Sequence, residues 1–324
     1  MQKGNLRIYR ADIDMVTTVV VGAINWDTTM FVDKFPHRGE EVVVRRITHV
    51  PGGKAGNAAV ASARLLGPNQ TAIIGAIGND WVATEHTRIF REEGVDVSGL
   101  KHNDSIHSGQ AYIIVDESGE NQIHTFPGAN ATILPEDLDD ATRRKLIEDA
   151  SLICIMDPPF ETSLKIAREA TRLGKVVAWD PGIKSQLGFD ITSTLLPYVA
   201  YFIANESEVG LLTGTRTRNS AARKLAAANP ALKVIMKLGA KGVIMYAGGK
   251  RIVSRGLDMK AVGLKVVNTV GCGDAFIGAL AAALTEGHSD EEALRWANCA
   301  AGLKATRTET RGSPDRATLL KYLT

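Results

Sequence analysis

Short runs of apolar, mostly β-branched residues recur along the chain at 16–24, 71–77, 152–156, 176–179, 201–204, 234–238 and 243–246. Each is too short for a helix, and most lack the alternation of a strand with one wet face. They predict strands buried on both sides. Between them lie stretches with helical spacing: 57–66 stopped by Gly67-Pro68, 82–93 stopped by Gly94, 162–173 stopped by Gly174, and 221–228 stopped by Asn229-Pro230. Strand and helix alternate, so the expected fold class is α/β with a mostly parallel central sheet.

Two segments break the alternation. Residues 28–50 and 108–126 read as hairpin strands, the second turning through Glu117-Ser118-Gly119. Together they predict either a small β-sheet projecting from the core, of the kind that covers a site, or an extension of the main sheet. No repeat, low-complexity block or long linker divides the chain, which predicts one domain over 16–324. Residues 1–15 carry charges of both signs and read as an N-terminal extension.

Composition narrows the function. With 44% hydrophobic and 23% charged residues in 324, the chain can build a full core. A formal charge of +2, from 38 basic against 36 acidic residues, argues against a surface that tracks nucleic acid. The three cysteines, Cys154, Cys272 and Cys299, have neither disulfide nor zinc-ligand spacing, and no apolar run is long enough to span a membrane. A reduced, cytoplasmic protein is expected.

Four places can carry chemistry. Gly271-Cys272-Gly273-Asp274 opens a small-residue helix, AFIGALAAAL. Bare backbone N–H groups at a helix start suit an anion, and a carboxylate in the first turn suits proton abstraction from a hydroxyl; the alternative is an acidic residue that stabilises the helix start. Cys272 at that start is either a thiol with a lowered pKa or a small residue that the turn tolerates. Pro51-Gly52-Gly53-Lys54-Ala55-Gly56-Asn57 offers a close-approach turn, a cation and an amide, or simply a turn with Asn57 as N-cap. It is not a P-loop.

Asn25 and Asp27 follow the first strand, where α/β proteins gather ligand groups, and turn formation is their other reading. The same GAINWD stretch lacks GxGxxG, which argues against a dinucleotide-binding protein. Asn205 and Glu208 are either a capping box or a water-mediated hold on Mg²⁺. Residues 237–242 (KLGAKG) either line a nucleotide pocket or join a hairpin.

Taken in order, Gly-Gly-Lys-x-x-Asn at 52–57, Gly-Glu-Asn at 119–121, Gly-Ala-Asn at 128–130, Asn-x-x-Glu at 205–208, Leu-Gly-x-x-Gly at 238–242 and Gly-x-Gly-Asp at 271–274 resemble the ribokinase-like, or phosphofructokinase B, family of sugar and nucleoside kinases. The resemblance runs from about residue 16 to the C-terminus and is nearer to ribokinases than to adenosine kinases or fructokinases. It implies a three-layer α/β/α fold with a β-sheet lid over about 28–50 and 108–126. The implied reaction is transfer of the ATP γ-phosphoryl group to O5 of D-ribose, with Mg²⁺, in a homodimer joined through the lid. A nucleoside, another pentose or a sugar phosphate is the alternative acceptor, with Trp26, Phe126 or Phe160 as possible base-contacting surface. A non-catalytic binding protein on the same fold is the alternative class.

Carried over by residue, the resemblance makes Asp274 the base and Gly271, Cys272 and Gly273 the anion hole. Asn25, Asp27, Gly53, Lys54, Asn57 and Asp157 would hold the sugar, with Asp157 shorter than the Glu that ribokinases tend to place there. Asn205, Lys237, Gly239, Gly242, Gly273 and Asn298 would line the ATP site, and Glu208 would organise hydrated Mg²⁺. Asn268, Val270 and Ser313 would hold a monovalent cation. Here the chain departs from the family, with Asn268 for a usual Asp and Glu309 for a common Gly, so K⁺ activation is expected to be weak, altered or absent. Lys237 stands where Thr or Ser is frequent and would bring positive charge to the phosphates.

Overall fold

In the computed structural model, which describes residues 16–323, the apolar runs form one ten-stranded sheet. The extension read over 1–15 lies outside the described residues. In chain order the strands of both sheets are β1 (Thr18–Gly22), β2 (Asn25–Val32), β3 (Val44–Gly52), β4 (Thr71–Gly78), β5 (Val95–Asp96), β6 (Leu100–Asn103), β7 (Gly109–Val115), β8 (Asn121–Phe126), β9 (Leu152–Met156), β10 (Val176–Asp180), β11 (Tyr201–Asn205), β12 (Lys233–Lys237), β13 (Val243–Ala247) and β14 (Lys250–Ser254). The central order is β14-β13-β12-β11-β10-β9-β1-β4-β5, with β6 also beside β4. Pairing is parallel from β12 to β4 and antiparallel only at β13 and β14.

Alternate residues of each central strand enter different cores, because successive side chains point to opposite faces. Val20, Cys154, Ala178, Ile203 and Ile235 pack toward α1 (Lys54–Leu66), α2 (Trp81–Glu92), α8 (Cys272–Thr285) and α9 (Asp290–Lys304). Val19, Ile153, Val177, Phe202 and Val234 pack toward α3 (Ala141–Asp149), α4 (Phe160–Arg172), α5 (Gly188–Thr192), α6 (Glu206–Thr213) and α7 (Arg218–Ala228). This is the three-layer arrangement, and it explains strands without alternation: neither face is wet.

The run at 16–24 is not one strand. The chain leaves the central sheet at Gly22, and β2 already belongs to a separate four-stranded sheet of order β3-β2-β7-β8. The backbone hydrogen bonds lost at this break are replaced by the Asn130 amide, which accepts from the Ile24 N–H at 2.8 Å and donates to the Ile24 carbonyl at 3.0 Å. The two predicted hairpins are β2–β3 and β7–β8, joined by parallel pairing of β2 with β7. They form the projecting sheet rather than an extension of the main one.

Candidate active site

Four neighbouring parallel strands end on one edge of the central sheet, and each delivers a polar group there: Asp157 just past β9, Asp180 at the end of β10, Asn205 at the end of β11 and Lys237 at the end of β12. That edge is the usual ligand side of an α/β sheet. Asp180 was not singled out in the sequence, yet it organises the charge. It is buried, accepts from Lys237 Nζ at 2.7 Å and from the Gly182 N–H at 2.9 Å, and lies 3.5 Å from Lys54 Nζ. Burial alone would raise its pKa; the two lysines and the Gly182 amide win, and the carboxyl is held below its ordinary value. The sequence signal was its place, directly after the 176–179 run.

Lys54 also approaches Asp157 at 3.4 Å and Glu208 at 3.8 Å. Its burial works against the ammonium, but Asp180, Asp157, Glu208 and Asp274 outweigh that and raise its pKa. Asp157 adopts a φ of 63°, uncommon for a residue with a Cβ, and accepts from the Ile183 N–H at 3.1 Å. Burial raises its pKa, opposed by Lys54.

The Gly-Gly-Lys turn is resolved by its geometry. Gly53, at φ 82°, is the residue before α1, and a Cβ there would fall 2.4 Å from the Asn25 backbone nitrogen. Only glycine lets the turn lie against β2. Asn57 is therefore not an N-cap but sits inside α1, where its N–H bonds the Gly53 carbonyl. Its side-chain amide donates to Asp274 Oδ2 at 2.8 Å, and its carbonyl oxygen accepts from Arg311 Nε at 3.1 Å.

Asp274 occupies the first turn of α8. Burial raises its pKa, and the Asn57 bond and the fields of Lys54 and Lys237 oppose that. Ahead of it, Gly271 has φ 83° and packs so tightly that a Cβ would lie 2.3 Å from the Thr310 carbonyl oxygen. Of the three amides expected in the cradle, the Cys272 N–H donates to the Thr269 carbonyl at 3.2 Å, while the Gly271 and Gly273 N–H groups have no backbone acceptor among the described residues. Of the two readings of Cys272, the lowered pKa is not met: burial raises its thiol pKa against the field of Lys304.

Asn25 and Asp27 lie on β2 and share one face of it. Asn25 Oδ1 accepts from Asn130 Nδ2 at 2.8 Å. Asp27 is buried, and among the described residues nothing donates to its carboxylate. Burial pushes its pKa up to about 7, against Arg311 and with Asp274. Arg311 is fully enclosed: besides Asn57 it donates to the Gly52 carbonyl at 2.8 Å, and its Nη1 has no partner among the described residues. It also donates to His86 Nδ1 at 3.3 Å, while His86 Nε2 lies 3.0 Å from the Asn25 carbonyl. A guanidinium only donates and a carbonyl only accepts, so His86 is the neutral Nε2–H tautomer. Burial, then Arg311, holds its pKa well below the usual value.

A cavity of about 280 Å³ opens beside this cluster, lined by Lys237, Gly239, Gly242, Cys272, Gly273 and Asn298, with apolar walls from Leu257, Met259 and Phe276. It gathers the expected nucleotide residues except Asn205, which caps α6 in a capping box with Glu208: Asn205 Oδ1 accepts from the Glu208 N–H, and Glu208 Oε2 accepts from the Asn205 N–H. The 237–242 segment both joins the β12–β13 hairpin and walls this cavity. The Lys237 ammonium would be 3.6 Å from a Cβ on Gly273, so it stands at the mouth of the amide cradle.

Of the aromatic residues considered for a base contact, Trp26 stacks edge-on to Trp81 at 5.0 Å, on the opposite face of β2 from Asn25 and Asp27. Phe160 packs against the core, and Phe126 is exposed on the lid.

The model of the pfkB family carbohydrate kinases matches residues 15–316. The chain belongs to that family. It is a phosphotransferase with an alcohol acceptor and ATP as its co-substrate. This kinase is 30% identical over 320 residues to a ribokinase of Arabidopsis thaliana, covering 94% of this chain and 80% of that protein. It is 29% identical to an ATP-dependent ribose-1-phosphate kinase of Halopiger xanaduensis, covering 95% and 98%. The structure of Arabidopsis thaliana ribokinase complexed with ribose and ATP superimposes with a TM-score of 0.82 at 28% identity, covering 96% and 99%. Among the kinase's described residues, no helix is long and apolar enough to cross a membrane.

Proposed function

We propose that this kinase phosphorylates D-ribose at O5, with Asp274 as the general base. The observation that carries the reading is the position of Asp274 between two groups of residues: the cavity of about 280 Å³ reaches Gly273 and Lys237 on one side, and Asn57 links Asp274 to Arg311, beside Asp27, on the other. Asp27, with its free carboxylate, and Asn25 suit sugar hydroxyls. Asp274 takes the proton as the hydroxyl oxygen bonds to the γ-phosphorus. The bond from that phosphorus to the bridging oxygen breaks, and ADP leaves. Gly271 and Gly273 amides, Lys237 and Lys54 balance the charge on the transferred group.

Mg²⁺ fits as an ion that keeps its water and arrives with the phosphates. Among the described residues no cluster of acidic, Cys or His side chains is built to hold a metal directly. Asp157, Asp180 and Glu208, gathered around Lys54, offer oxygen acceptors to a hydrated ion, which would neutralise phosphate charge.

The β-lid excludes water from the site and joins two copies. Phe31, Ile113, Val115 and Ile123 share the face of the lid that carries Asp27, and Ile123 is 60% exposed. An apolar strip of this kind suits a second lid.

A phosphorylated pentose is the second reading, favoured by the likeness to an ATP-dependent ribose-1-phosphate kinase, 29% identical over 310 residues. Release of ADP from ATP·Mg²⁺ should be measured across ribose, 2-deoxyribose, fructose, ribose 1-phosphate, adenosine, inosine and cytidine. Turnover highest on ribose supports the first reading, and highest on ribose 1-phosphate the second. No turnover with any acceptor overturns both.

A further inference from the structure

Lys304, the last residue of α9, is completely buried, and no step above uses it. Its Nζ donates to the Asn268 carbonyl at 2.9 Å. The loop leading into α8 closes around this point. The Val267 and Asn268 N–H groups donate to the Ala305 carbonyl at 2.7 and 3.1 Å, and Asn268 Nδ2 donates to the Thr308 carbonyl at 2.7 Å. An enclosed ammonium is costly unless anions answer it; burial works against the Lys304 charge, and the carboxylates of Glu309 and Asp274 favour it, with the Cys272 thiol beside them. Two of these belong to the first turn of α8.

The monovalent cation implied by the resemblance does not fit this loop. Asn268 carries no charge, its Oδ1 accepts from the Val270 N–H at 3.0 Å, and its backbone oxygen is taken by Lys304. The Ser313 carbonyl accepts from Arg64 Nη1 at 2.6 Å, and the Arg311 carbonyl from the same nitrogen at 2.8 Å. Oxygens engaged by protein donors are poor ligands for a free ion.

We propose that the Lys304 ammonium is a tethered monovalent cation. It supplies from within the chain the positive charge beneath the α8 amide cradle, and so frees the enzyme from K⁺. Lys304 is a positioning residue in this account, which rests on the kinase reading of Asp274 and its cradle.

The test compares wild type with Lys304→Met, which keeps length without charge, and Lys304→Gln, in tetramethylammonium buffer with and without KCl or NH₄Cl. ADP affinity by calorimetry and kcat for ADP release are both read. The wild type should change less than about twofold on adding K⁺. The variants should lose about tenfold or more in kcat and in ADP affinity, and recover most of it with K⁺ or NH₄⁺. A wild type that requires K⁺, a variant with unchanged kinetics in tetramethylammonium, or a folded variant that no cation restores would each overturn the proposal. If neither variant folds, K⁺ dependence of ADP affinity in the wild type decides. Should no acceptor be turned over, the kinase reading fails, while the ADP affinities still report on Lys304.

Discussion

Lys237 donates to the Asp180 carboxylate at 2.7 Å, across the ends of strands separated in the sheet by β11. Because Asp180 also lies 3.5 Å from Lys54, one buried carboxylate steers two lysines toward the place where phosphate charge would collect. Asp180→Asn removes the common partner. A hydrogen bond to a charged group contributes about 1.5–3 kcal/mol, so kcat/KM for ATP should fall roughly 10–100-fold. Steady-state kinetics at saturating acceptor would show it; an unchanged kcat/KM would remove Asp180 from the site.

Asp274→Asn should lower kcat by roughly 10²–10⁴-fold while the affinity for the acceptor, measured by calorimetry, stays within a few-fold of wild type. The base must be ionised to act, and burial raises its pKa. The acidic limb of the wild-type kcat profile should therefore lie above the ordinary Asp range, with activity lost as pH falls. A flat profile down to that range would assign the limb elsewhere.

Asp27 has a pKa of about 7 in the folded chain against 3.8 for the free side chain. Between these values the folded state holds a proton that the unfolded chain releases, so this residue makes the protein less stable as pH rises from about 4 to about 7. Asp27→Asn should raise the melting temperature at pH 8, with a gain that vanishes near pH 4. The scale is about 1.4 kcal/mol per unit of pKa difference. The same change should raise KM for the acceptor more than it lowers kcat. A variant less stable at pH 8 would show that Asp27 is paired rather than strained.

Ile123→Lys places a charge at the exposed end of the apolar strip of the lid, beside half-buried Ile113. Sedimentation should show dimers for the wild type and monomers for the variant at the same concentration. A wild type that is monomeric at micromolar concentration would refute the lid as an interface.

What the sequence determined by itself is local. The apolar runs read as strands, the glycines that end helices, the opening of α8 at Gly271–Asp274 and the two hairpins all follow from residue type and spacing within a few positions. Even there the break of the 16–24 run at Gly22 escaped, since the group that satisfies the freed Ile24 backbone, Asn130, comes from more than a hundred residues away. The decision between Asn57 as a cap and Asn57 as a holder of Asp274 needed α8 to be docked on α1, a contact spanning 217 positions.

The tertiary structure alone decided Asp180, Arg311 and Lys304. Their neighbours mark them weakly or not at all: Asp180 has only its place at a strand's end, Arg311 sits in a charged loop and Lys304 ends a helix where a basic residue is unremarkable. Their importance comes from burial, which makes a charge depend on whichever partners the fold sets within a few ångströms. Secondary structure is chosen by short-range backbone preference and the period of apolar positions. The field at a buried charge is chosen by groups brought together only when the sheet, the lid and α8 have packed.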